Sequence, residues 1–182
     1  AFDNCLYDML NNIFRPIEYE DYIAKQTGYD YVEPTQDELN TRIQKNLEVQ
    51  GIEPKKIYSR EEKERGNLNS YDIGTIATID GPNKVKFLLL VISTFDSNNN
   101  ARSTKKTIRE SVYDLIEYYD EKGQSDQLYM PLIGTGHSRA DLSHEQSLRI
   151  IKSCILDSDK KIHGKMNVVV YEKDRDKVSI FK

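Results

Sequence analysis

Hydrophobic positions recur along this chain with two periods, and the change between them divides it. Leu39, Ile43 and Leu47 stand four residues apart, the spacing that places side chains on one face of an α-helix. Thr35-Gln36-Asp37-Glu38 precedes them with the spacing of a capping box, the Thr hydroxyl accepting a backbone N–H and the Glu reaching back. Gly51 and Pro54 stop the pattern, so a helix is predicted over 36–49. Upstream, Leu6, Leu10, Ile13 and Phe14 predict a second short helix that Pro16 ends. Further on the period shortens. Ile73–Ile79 and Val85–Ile92 read as strands, joined by the turn formers Asp80-Gly81-Pro82-Asn83. Helical spacing returns in Ile108, Val112, Leu115, Ile116 and Tyr119, ending at Gly123. Leu128–Ile133 is a short apolar strand, and Ser143-His144-Glu145-Gln146 repeats the capping-box spacing ahead of Leu148, Ile151 and Ile155. Met166–Tyr171 is another strand, and Val178–Phe181 an edge strand.

From residue 85 the order is therefore strand, helix, strand, helix, strand. Each crossover is long enough for a helix, which predicts an α/β fold with helices packed on a mostly parallel or mixed sheet. The strands at 87–92, 128–133 and 166–171 are expected to be neighbours in one largely parallel sheet. In such sheets ligands bind beyond the carboxyl ends of the strands. Two loops belong there, Ser93–Thr104 and Gly134–Leu142. Residues 1–70 differ in character, being polar, tyrosine-rich and charged. The expectation is one domain over 1–182, with 1–70 helical and 71–182 its core; Lys55–Ser70 reads as surface, and the charged tract Lys55–Arg65 as a solvated face.

Composition narrows the partners. A net charge of −4 and a pI near 5.5 argue against non-specific nucleic-acid binding, which needs a clustered basic surface. Cys5 and Cys154 have no Cys or His at metal-ligand spacing, and read as reduced core residues of a cytoplasmic protein. The longest apolar run, Phe87–Ile92, is too short to cross a bilayer, so no membrane contact is expected of this chain. Ala1 opens it without a secretory leader, and the missing initiator Met reads as a piece of a larger protein.

The strongest chemical signal is Pro131-Leu132-Ile133-Gly134-Thr135-Gly136-His137-Ser138-Arg139. A buried strand runs into two glycines, which let backbone N–H groups form a concave nest for a phosphate. Thr135 and Ser138 offer hydroxyls and Arg139 a charge-assisted contact. The alternative is a tight strand-to-helix turn without a ligand. Ser93-Thr94-Phe95-Asp96-Ser97-Asn98-Asn99-Asn100-Ala101 follows the most apolar strand. Its polar groups suit ribose hydroxyls or a base and Phe95 suits stacking; a solvated loop of Asx turns is the competing reading. Gly74 and Thr75 lie inside a strand pattern, which signals close backbone approach or a bulge. His137 and His144 fit no metal spacing. His144 is expected at the surface of a first helical turn, and His137 as a ligand contact rather than a catalyst.

"PLIGTGHSRADLS" followed by an amphipathic helix resembles the diphosphate-binding loop of macro domains. In order, Tyr71-Asp72-Ile73-Gly74-Thr75-Ile76-Ala77, "FLLLVISTFDSNNNA" and "PLIGTGHSR" resemble the divergent macro-like domain of Thoeris anti-phage effectors. Ala1-Phe2-Asp3 resembles the end of that family's Asn-x-x-Phe-Asp segment, which adds Asp3 to the ligand set. The resemblance covers residues 71–171. It implies a macro-like three-layer fold and a non-catalytic sensor of bacterial antiviral defence, binding an ADP-ribose-derived signalling nucleotide such as histidine–ADP-ribose. A partner TIR-domain enzyme would make that signal from NAD. Output would come from elsewhere in the parent protein, through membrane helices or homo-oligomerisation, with this domain in the cytoplasm. No cofactor or metal is implied. The Asn-Ala-Ala-Asn run of conventional macro domains is absent, which weakens the enzyme alternative, an ADP-ribosyl hydrolase. The remaining alternative is a structural or protein-interaction module.

Overall fold

The computed structural model describes residues 36–64, 66–81, 85–96, 98, 100–123, 125–136 and 138–179. The expected helix at Leu6–Phe14, the capping residue Thr35 and Cys5 lie outside them. Helix α1 spans Gln36–Val49, as the four-residue spacing requires. Its Leu39, Ile43 and Leu47 are buried, each worth about 1.5–3 kcal/mol, so α1 is anchored in the core rather than carried as an arm. The polar side of the helix is used too. Asn46 Oδ1 accepts the Thr78 N–H at 2.8 Å and Gln50 Nε2 donates to Ile76 O at 3.0 Å. These side chains stand where a further strand would pair, and they satisfy an edge that would otherwise remain open.

The 55–70 tract is not helical. Strands β1 (Lys56–Ile57) and β2 (Asn69–Ser70) pair antiparallel, and Gln44 of α1 accepts from Asn69 Nδ2 and the Tyr71 hydroxyl. The solvated-face reading of Lys55–Arg65 fails at Lys63, which is 3% exposed.

Strands β3 (Ile76–Asp80) and β4 (Lys86–Leu90) pair antiparallel in full register, from Ile76↔Leu90 to Asp80↔Lys86. Both faces of this ladder are covered. Ala77, Ile79, Phe87 and Leu89 join the α1 side chains in one cluster; Ile76, Leu88 and Leu90 join a second. That second cluster contains Ile108, Val112 and Ile116 of α2 (Lys105–Lys122) and Ile150, Ile151 and Cys154 of α3 (His144–Asp157). Helix, ladder and helix thus form three layers, the mixed α/β arrangement expected. A two-stranded hairpin, β5 (Thr94–Phe95) with β6 (Ala101–Arg102), separates β4 from α2.

Strand β7 (Leu128–Pro131) pairs parallel with β8 (Met166–Val169), and α3 makes the crossover between them. The parallel pairing expected for these two strands holds. The expected single sheet of three does not, because β4 turns back on β3 and the ladders among the described residues are each two-stranded. β4 and β7 nevertheless share the core, where Met130 and Ile133 meet Leu88 and Leu90. Ser143 and Gln146 form the anticipated capping box on α3. Thr104 and Thr107 form one on α2, which a search for Glu or Gln at the third position passes over. A 3-10 turn, Glu172–Lys177, follows β8; Val178 and Ser179 are in no strand, and the rest of the expected edge strand lies outside the described residues. No helix among the described residues is long and apolar enough to cross a membrane.

Candidate functional site

The loop after β7 is built around one indispensable glycine. Gly134 has φ +87, and a Cβ there would stand 2.8 Å from Leu142 Cδ1 and 3.3 Å from Ile108 Cγ1. Both the backbone angle and the packing demand Gly. Gly136 is different: it is solvent-exposed, and a Cβ would meet nothing within 4 Å. Past it the chain is strained. Arg139 and Asp141 adopt positive φ, 52° and 50°, each costing about 1–2 kcal/mol for a residue with a Cβ. Buried Leu142 and half-buried Ala140 hold this backbone down on the core, and Ser147 Oγ of α3 donates to Ile133 O at 2.7 Å.

The loop also carries donors that no described residue engages. The N–H groups of Thr135 and Gly136 donate to no partner among the described residues. Ser138 is 8% exposed, and its buried Oγ likewise has no partner there. A buried hydroxyl left unsatisfied costs about 1–3 kcal/mol. The Ser138 carbonyl is engaged, accepting from Ser103 Oγ at 2.7 Å. That bond ties the Gly134 loop to the start of α2.

Between these segments lies an open cleft of about 390 Å³, lined by Asn100, Arg102, Ser103, Thr104 and Arg139 together with Asp96 and Ala101. The volume is within the 300–1,000 Å³ range of small-ligand sites. Arg102, Arg139 and Thr104, the N-cap of α2, line it, so the helix begins at its edge. The first turn of α2 carries Lys105 and Lys106 and no acidic residue, against the helix dipole, whereas α1 and α3 begin with carboxylates. A helix N-terminus beside two arginines is an anion-binding arrangement.

The Ser93–Asn98 segment serves this cleft mainly as scaffold. Asp96 Oδ1 accepts the N–H groups of Asn98 and Asn100 at 3.0 and 2.9 Å. Its Oδ2 accepts from Arg102 Nε and Nη2 at 3.2 and 3.1 Å. The Asn100 N–H, with Arg102 and the Asn98 N–H behind it, holds the Asp96 carboxyl below its usual range against partial desolvation. Asp96 is thus an ionised pin of the β5–β6 hairpin, and it neutralises one arginine of the cleft wall. Phe95 is half-buried and turned toward Lys63, whose Nζ stands 5.5 Å from its ring centroid. Thr94 is exposed on β5 and Ser93 half-buried before it; neither lines the cleft.

The other expected residues are distributed as follows. Gly74, at φ +87, is the third residue of the Asp72–Thr75 turn before β3 rather than a bulge within the strand. Its N–H donates to Val91 O, and Val91 N–H to Thr75 O, so both residues sit at the root of the Ser93 loop without lining the cleft. A carboxylate oxygen of Asp114 packs against Gly74. Desolvation, and then Glu117 and Glu110, push the Asp114 carboxyl up from its usual range. His144 is only partly exposed and pairs with Asp174 at 3.3 Å, a partner supplied by the 3-10 turn and so beyond local spacing. Asp3 and His137 lie outside the described residues. Arg102, Ser103 and Thr104 were not among the residues read from sequence as ligand contacts. The acid-free first turn of α2 was the available signal for them.

With this geometry in hand, two comparisons bear on identity. The family model of the Thoeris protein ThsA, Macro domain, matches residues 20–171. No curated protein matches the chain.

Proposed function

Starting from a chain that belongs to the ThsA macro-domain family of Thoeris, we propose that it is a sensor domain that binds an ADP-ribose-derived signalling nucleotide. In this reading the diphosphate sits on the Gly134–Arg139 loop, facing Arg102, Arg139 and the first turn of α2. The observation that carries it is the buried Ser138 hydroxyl without a partner, next to the undonated N–H groups of Thr135 and Gly136. A phosphate supplies acceptors to all three, and charge-assisted bonds of this kind contribute about 1.5–3 kcal/mol each. The rest of the ligand extends along the Asn100–Thr104 wall, where the Asn100 side-chain amide suits ribose hydroxyls.

The sensor role is favoured over hydrolysis by the state of Asp96. Two backbone N–H groups and a guanidinium keep it ionised and occupied, and a carboxylate with a lowered pKa is a weak general base near neutrality. The signal is proposed to come from a TIR-domain enzyme acting on NAD, and occupancy of the site to switch an anti-phage effector of which this domain is the receptor. No cofactor is needed for that role.

Isothermal calorimetry and thermal shift with ADP-ribose, histidine–ADP-ribose, cyclic ADP-ribose, NAD and AMP test the reading, since ligand bound only to the folded state raises its stability. The expected result is saturable binding of a diphosphate-bearing member with no product by chromatography. Equal indifference to all five would remove the proposal, and turnover would replace it with the hydrolase.

A further inference from the structure

Lys63 lies behind the cleft, in the 55–70 tract. It is 3% exposed, an unusual place for an ammonium, since lysine is almost never buried without compensation. Its Nζ donates to Asn67 O at 2.8 Å and lies 5.5 Å from the centroid of the Phe95 ring. Glu62 and Asp96 line the same small cavity beside it, their carboxylates engaged by Lys56 and the Ser59 N–H and by Arg102. The cavity is about 10 Å³, room for a single water at most. Lys63 therefore has no ligand space of its own. What it touches is the underside of the β5–β6 hairpin, whose upper side is the Arg102 wall of the cleft.

We propose that Lys63 is a positioning residue: from beneath the hairpin it holds Phe95, and through the Phe95–Asp96 step it fixes the guanidinium of Arg102 at the anion cleft. The consequence for ligand affinity rests on the reading of that cleft as the diphosphate site; the bracing itself does not. The ammonium faces the ring, where a desolvated cation–π contact is favourable. Phe95 and Asp96 are successive residues and both line the cavity beside Lys63, so a shift of the backbone at Phe95 carries Asp96 with it. Asp96 grips Asn98 N–H, Asn100 N–H and Arg102 together, so a displaced carboxylate releases the whole hairpin. The polar tract 55–70 thereby becomes the back wall of the site, held in turn by Asn67 Nδ2 on Asn40 Oδ1 of α1 at 3.1 Å.

The test uses Lys63→Met, which keeps the stem volume and removes the cation, and Phe95→Leu, which keeps the cation and removes the ring. Each variant is first shown to be folded by circular dichroism, because removing one partner of a buried charged contact can destabilise a fold. In ligand-free protein, amide hydrogen exchange at Asn98 and Asn100 should accelerate at least tenfold in both variants, with α3 amides unchanged. Unaltered protection at Asn98 and Asn100 in either folded variant overturns the brace. With ADP-ribose as probe, Lys63→Met and Arg102→Gln should each weaken binding roughly tenfold, and the double variant no more than either alone, the non-additivity of groups acting as a unit. Additive losses would mean that Lys63 does not act through Arg102. A wild-type protein that binds none of the nucleotides would remove the diphosphate reading, while the exchange result would still decide the brace.

Discussion

The two glycines of the Gly134-Thr135-Gly136 motif should respond oppositely to the same substitution. At Gly134 an added methyl meets Leu142 Cδ1 at 2.8 Å on a backbone with φ +87. The left-handed conformation alone costs about 1–2 kcal/mol, and at about 2–4 °C per kcal/mol for a domain of this size the melting temperature should fall by roughly 2–8 °C. At Gly136 the methyl meets nothing within 4 Å and no left-handed φ is imposed. Gly136→Ala should leave stability unchanged or raise it by about 0.4–1 kcal/mol through the unfolded chain. Its effect on affinity is the informative quantity. If a phosphate approaches the Gly136 N–H, losing that charge-assisted bond costs about 1.5–3 kcal/mol, roughly 10- to 150-fold in affinity. Gly136→Glu adds a repulsion of about 1–4 kcal/mol, depending on effective dielectric. Differential scanning fluorimetry gives the stability arm and calorimetry with the preferred nucleotide, at fixed ionic strength, the affinity arm. A folded Gly136→Glu protein that binds within twofold of wild type would refute the loop as phosphate site.

Ser138→Ala should keep or raise stability, because it deletes a buried hydroxyl without a partner, yet weaken nucleotide binding about tenfold; unchanged affinity would leave the orphan unexplained by a ligand. Arg139→Gln, at an exposed side chain, should leave the melting temperature within a degree or so while lowering affinity and flattening its salt dependence in titrations at 50 and 300 mM salt. Asp114→Asn should stabilise. Desolvation and the neighbouring Glu117 and Glu110 raise the folded carboxyl above its unfolded value, so the destabilisation is fully present above the folded pKa and disappears as pH falls through it to below the unfolded value. The gain, about 1–2 °C for a surface group, should therefore be seen at pH 7 and vanish below pH 4, and a gain independent of pH would contradict the cause. Asn46→Ala should cost about 1–3 kcal/mol in denaturant unfolding, since it strips the Thr78 N–H of its acceptor. A cost under 0.5 kcal/mol would mean that α1 does not close the β3 edge.

Elements with their own periodicity were legible from residue order alone. Leu39, Ile43 and Leu47 specify a face, and the structure buries that face; the α2 and α3 stripes did the same, and Ser143 with Gln146 capped as their spacing implied. The tract 55–70 was not legible, because β1 and β2 are two residues each and no period can be read over so short a run. Lys63 was missed for a related reason. Charge is a good guide to exposure only on average, and burial of one lysine is decided by Phe95 and Asn67, partners supplied by folding. The sheet was over-simplified because periodicity identifies strands but not their partners. β3 and β4 pair antiparallel in full register, and what meets the other edge of β4 is decided by tertiary packing that residue order does not report.

The Gly134 loop was legible as a phosphate candidate, but its energetic character was not. Glycines report where a backbone must bend or be approached; they do not report that Arg139 and Asp141 would be left-handed or that Ser138 would be buried unpaired. Two left-handed residues and one orphan hydroxyl together cost about 3–7 kcal/mol, a large part of the 5–15 kcal/mol by which a domain is stable. A bare strand-to-helix connection has no need of such a loop, since a turn with Gly or Asn at those positions reaches the same geometry at less cost. The strain persists because Leu142, Ala140 and the Ser147 bond to Ile133 O over-determine the backbone from below. In the proposed reading this is pre-organisation, with two N–H groups and a hydroxyl held in place before a ligand arrives. A ligand that accepted from them would recover the orphan's desolvation cost on binding and meet no cost of ordering the loop.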